Sequence, residues 1–155
     1  MVQKIAAFIL LILLGQWSFS SAVSAEPSVY ECTDTYEVAQ VRKVDALSKD
    51  WSNHGQMLAA VHLAAHLGDL RIACYHGPNP ENVEHDFAYE GAATHYGAAL
   101  DIASYIHDVG DMVKYGRLCI LNARLVSSNR RASETSQYLI SFCTNRLRAS
   151  GLTPP

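Results

Sequence analysis

His62 and His66 stand one helical turn apart, a spacing that lets two imidazoles project from one face of a helix and share a metal ion. All seven histidines lie between residues 54 and 107. A Zn²⁺ or Cu²⁺ ion held by this pair needs at least one more ligand, and His54, His95, His107 and Asp108 are the candidates. The stretch His62-Leu63-Ala64-Ala65-His66 nevertheless has Leu where a zinc protease carries its general-base Glu, so the pair lacks a hydrolytic partner. Imidazoles that line a half-buried helix surface and bond to neighbouring side chains explain the pattern better than a metal site does.

Carboxylates form a second constellation. Glu81, Glu84, His85, Asp86 and Glu90 crowd the residues after His76-Gly77-Pro78-Asn79-Pro80. Two prolines and a glycine exclude helix there, Asn79 can cap, and Pro80 suits a first helical position, so a helix is expected from Pro80. Acidic residues early in a helix favour the positive end of its dipole, and capping with solubility accounts for them better than acid–base catalysis does. A proline-stiffened turn leading into an acidic helix start also makes a good contact surface, because it loses little entropy on binding. His76, Asn79, Glu81, Glu84 and Asp86 are the expected contact residues, and their natural complement is a basic protein.

Other chemistry has no visible carrier. There is no G-x-S-x-G elbow, no phosphate loop and no dinucleotide fingerprint. Cys32, Cys74, Cys119 and Cys143 lie 42, 45 and 24 residues apart, which rules out a C-x-x-C redox pair or a cysteine zinc knuckle. An even number of cysteines reads instead as two disulfides, expected as Cys119–Cys143 across a helical hairpin and Cys32–Cys74 by elimination.

Disulfides imply export, and the N-terminus carries a matching address. Lys4 precedes the apolar run Ile5 to Leu14, and Val23-Ser24-Ala25 supplies the small residues read by signal peptidase, so cleavage before Glu26 is expected. The apolar run, broken by Gly15 and Gln16, is short of the roughly 20 residues that span a bilayer, and no membrane anchor is expected in the mature chain. Residues 26–155 are the length of one domain, active in a periplasmic or extracellular space.

Charge divides along the chain. Residues 26–111 hold 14 acidic and 4 basic side chains, whereas residues 112–155 hold 7 basic and 1 acidic, Glu134. The expected outcome is mutual neutralisation inside the fold. Nucleic acid is not an expected partner, since the mature chain is net negative and its arginines are not interleaved with aromatics.

The elements that must position these residues are helices throughout, because apolar residues recur at helical spacing and no stretch alternates as a strand does. Helices are expected over 36–48 (capped by Thr35), 51–67 (capped by Asp50), 70–75, 80–109, 112–126 and 130–149. Val38 and Trp51 are expected to pack inward, and Gly68-Asp69 and Gly110-Asp111 are read as stop-and-cap signals. Six positions from Gly55 to Leu70 recur 42 residues later, a likeness expected of a duplicated hairpin or of shared turn chemistry. The whole reads as an all-α bundle of about five helices arranged as hairpins and stapled by two disulfides. With no catalytic motif, a binding role as inhibitor, immunity-type antidote or adaptor is expected, with metal binding at His62 and His66 as the alternative.

Overall fold

Alanine and glycine on the facing sides of the two central helices set the geometry of this protein. A computed structural model describes residues 26–77, 84–126 and 130–155, with side chains in the last stretch from residue 134 onward. The signal-peptide expectation for residues 1–25 lies outside these residues. Five helices follow one another: α1 Asp34–Leu47, α2 His54–His76, α3 His85–Tyr105, α4 Val109–Leu125 and α5 Arg130–Ala149. No strand occurs among the described residues.

α3 is the centre of the bundle and touches α2, α4 and α5, while α1 lies along α2. Ala88, Ala92, Ala93, Ala99 and Ala103 of α3 are fully buried, as are Ala60 and Ala64 of α2, so backbones approach closely. Gly68 of α2 sits where an added Cβ would fall 2.8 Å from the Tyr96 ring of α3. Gly116 of α4 gives Leu147 of α5 the same room. Larger side chains close the core between these contacts, with Met57, Leu67, Leu100, Ile120 and Leu147 buried almost completely. By length and composition α2 passes for a membrane span, but half of its apolar stretch is buried against the other helices.

Both disulfides join the expected partners. Cys119 of α4 meets Cys143 of α5 with Cα atoms 6.5 Å apart, and Cys32 is bonded to Cys74 near the end of α2 with Cα atoms 5.6 Å apart. These crosslinks suit an oxidising environment. The second one matters most to α1, whose only buried residue is Val44.

Several boundaries differ from expectation, each for a local reason. Thr33, not Thr35, caps α1 by accepting from the Tyr36 amide, and Asn53, not Asp50, caps α2 by accepting from the Gln56 amide. α2 runs unbroken through Gly68-Asp69, because this glycine serves the Tyr96 contact rather than a turn. α3 starts at His85, not Pro80, with Glu84 in the capping position. α3 stops at Tyr105 because His107 takes the left-handed conformation, φ 56°, and lets the Asp108 amide donate to the Ala103 carbonyl. Gly110 then falls inside the first turn of α4, capped by Asp108. Gly68 and Gly110 are thus not structural equivalents, which removes the apparent repeat. Val38 and Trp51 lie on the surface rather than in the core.

Candidate functional site

The end of α2 and the start of α3 carry His76, Glu84 and Asp86, three of the five expected contact residues. Tyr75 forms the hub: its ring meets His76 at 4.8 Å, His85 at 5.6 Å and Tyr89 at 5.9 Å between centroids. His85 and Tyr89, one turn apart on α3, lie 4.6 Å apart. Edge-to-face contacts of this kind fix the rings relative to one another, so the two helix ends that flank the turn are held in a set geometry. His76 and Glu84 are exposed, and Asp86 is half-buried with its carboxylate 3.1 Å from His85 Nδ1. Phe87, beside them, is 65 % exposed. Asn79 and Glu81 lie outside the described residues.

His62 and His66 occupy the same exposed face of α2, as their spacing requires. His62 Nε2 is 3.4 Å from Asp111 of α4. Glu31 is held below the ordinary carboxylate range chiefly by hydrogen bonds from Ser28, with a weaker attraction from His66. The supporting ligands are dispersed: Asp108 caps α4, His107 closes α3 and His95 is buried against Glu37. Among the described residues no three His, Cys, Asp or Glu side chains converge closely enough to hold a metal ion.

Two groupings are invisible to local sequence reading. In the first, Glu37 of α1 faces Arg71 of α2 and His95 of α3. Its carboxylate pairs with the Arg71 guanidinium and lies 2.8 Å from His95 Nε2. Burial alone would raise the Glu37 pKa, but hydrogen bonds and charge from His95 and Arg71 outweigh it and hold the carboxyl low. Arg71 Nε is buried without a partner and rests against Gly91, where a Cβ would crowd it at 3.1 Å. Beside this trio, under the Cys32–Cys74 bond, is a cavity of about 20 Å³, room for one water molecule. Asp69, itself exposed, ties to the buried Tyr96 at 2.6 Å, and burial followed by the carboxylate beside it pushes the Tyr96 phenol far up, so it stays a donor.

The second grouping is an exposed row of rings. Trp51, 66 % exposed, lies on Tyr105 with centroids 4.6 Å apart. The Arg146 guanidinium, paired with Asp101, sits 5.4 Å over the other part of this row at Tyr105. Arg146 continues into Phe142 and Tyr138, which stack at 6.3 Å along α5. The only sequence hint is the four-residue spacing of Tyr138, Phe142 and Arg146. The remaining partners come from helices distant in the chain. No family model, curated protein or solved structure matches the chain.

Proposed function

We propose that this is an exported helical binding protein that works through protein–protein contacts, in the manner of an inhibitor, an immunity-type antidote or an adaptor. The observation that carries the reading is the exposed Phe87 on the first turn of α3, with Glu84 and Glu90 three residues to either side of it, on a helix start that the rings of Tyr75, His76, His85 and Tyr89 tie to the end of α2. An aromatic anchor on a rigid base, flanked by carboxylates, is how an interface gains affinity at its centre and selectivity at its rim. Neighbouring Glu81, Glu84 and Asp86 make the preferred partner basic. Two disulfides and an N-terminal stretch with the make-up of a signal peptide support a site of action outside the reducing cell interior.

A photo-crosslinking residue placed at position 87 of the exported protein tests this in the native host. A discrete adduct is expected at position 87 and not at exposed Arg42, on the far side of α1. Lysine at Glu81, Glu84 and Asp86 together is expected to weaken that adduct, most strongly at low salt. Equal labelling at both positions, or an adduct indifferent to the three lysines, would end the proposal.

A further inference from the structure

The two disulfides differ in what a reductant can reach. Cys119 and Cys143 are completely buried, and their sulfurs pack on Gly97 of α3, where an added Cβ would lie 3.5 Å from Cys143 Sγ and 3.6 Å from Cys119 Sγ. Cys32, on the turn before α1, is exposed, and it is bonded to Cys74 near the end of α2. Thiol–disulfide exchange requires a thiolate to reach one of the sulfurs, so access decides which bond opens first. The Cys32–Cys74 bond has that access and the Cys119–Cys143 bond does not.

What the accessible bond holds is α1. Among the described residues, Val44 is the one buried apolar side chain that α1 gives the core, and the others all come from residue 57 onward. Tyr36, Val41 and Leu47 pack against that core only in part, and Glu37 adds its tie to Arg71 and His95. A free helix of 14 residues is marginal in water, so α1 keeps its shape only while docked. The crosslink, joining residues 42 apart in the chain, keeps it docked by removing the freedom of the segment before α1 to leave α2. α2 to α5 have a core of their own and the sealed Cys119–Cys143 bond.

We propose that Cys32–Cys74 is a redox latch: a dithiol reductant opens it selectively, and α1 then leaves the bundle while α2 to α5 stay folded. A thiolate of the dithiol attacks Cys32 Sγ, the bond between the sulfurs breaks, and Cys74 departs as a thiolate that takes a proton from water. The second thiol of the reductant loses its proton and attacks the mixed disulfide, releasing Cys32 as a thiolate that is protonated in turn. Two electrons pass to the protein and the dithiol becomes a disulfide. Departure of α1 uncovers Leu67 and Leu70, which share a cavity with Cys32, Thr33 and Glu37. Glu31 and Glu37 line that cavity against the single guanidinium of Arg71, so an uncharged dithiol meets less repulsion there than an anionic thiol. The latch does not depend on the Phe87 surface.

Timed exposure of the disulfide-intact exported protein to dithiothreitol, without denaturant, tests the proposal through alkylation and amide hydrogen exchange read by mass spectrometry. Cys32 and Cys74 are expected to become alkylated at least tenfold faster than Cys119 and Cys143. Once that bond is open, the amides of α1 are expected to exchange at least tenfold faster, with those of α3 and α4 unchanged, and re-oxidation should restore them. Cys32→Ser combined with Cys74→Ser is expected to show the fast α1 exchange without reductant and no further change in α1 when dithiothreitol is added. The proposal is overturned if both bonds open at the same rate, if Cys119–Cys143 opens first, or if α1 stays protected after reduction. It is also overturned if opening Cys32–Cys74 removes protection from all five helices together.

Discussion

Glu37 connects three helices with one side chain, and its protonation state therefore bears on how well α1 is held. Its folded-state pKa is depressed, so the stability it contributes is complete above the ordinary value of 4.5 and is lost as pH falls through the lower folded value. Glu37→Gln is expected to cost about 2 kcal/mol at pH 7, because Arg71 loses its carboxylate while remaining partly buried. Urea unfolding of both proteins at pH 7 and at pH 3 checks the sign: the gap should narrow at pH 3, and a constant gap would show that the carboxylate charge is not what matters. None of this was legible in the sequence. His95 reads there as a spare metal ligand, because its partner lies 58 residues away and only tertiary packing brings the two within 2.8 Å. The i, i+4 pair His62 and His66, a local relation, was legible as a shared face but not in its neighbours, since Asp111 comes from another helix.

At the scale of the helix, glycine was the ambiguous residue. A glycine followed by aspartate reads as the end of one helix and the cap of the next, yet Gly68 lies in mid-helix and serves the approach of Tyr96. Adding a methyl group distinguishes the roles. Gly68→Ala is expected to lower stability by about 1–2 kcal/mol, the overpacking cost exceeding the gain in helix propensity, because the Tyr96 ring is buried and tied to Asp69. Gly55→Ala, which meets only Asn53 Oδ1 at 3.6 Å, is expected to raise stability by about 0.5–1 kcal/mol. Thermal melts of the two variants should move in opposite directions; a shift of the same sign would show that propensity rather than packing governs both. Five long helices and both cysteine pairings were readable because apolar period and cysteine spacing are properties of the chain itself. The end of α3 was not, since the left-handed cap that glycine usually supplies is His107.

At the scale of the whole molecule α2 sets the length of the bundle, its 23 residues spanning roughly 34 Å at the helical rise. Trp51 precedes the helix and His76 closes it, so the Trp51–Tyr105 pair and the Phe87 end lie toward opposite ends of α2. Charge divides along the chain into an acidic part up to residue 111 and a basic part after it. Part of that division is neutralised internally, as at Asp101–Arg146. Export remains the condition for the crosslinked state. Intact-mass measurement on protein from the native host is expected to show loss of residues 1–25 and no thiol that reacts with an alkylating reagent before reduction, with four after it. A full-length mass with four reactive thiols would refute both the address and the compartment.

Of the two tryptophans in the sequence, Trp17 falls within the stretch expected to be cleaved, which leaves Trp51 alone in the mature chain. Its indole sits against Tyr105 at the rim of the α5 row and is open to water on its other side. Ultraviolet emission from the unlabelled protein is therefore a local signal, reporting solvent access at that one spot rather than an average over the fold.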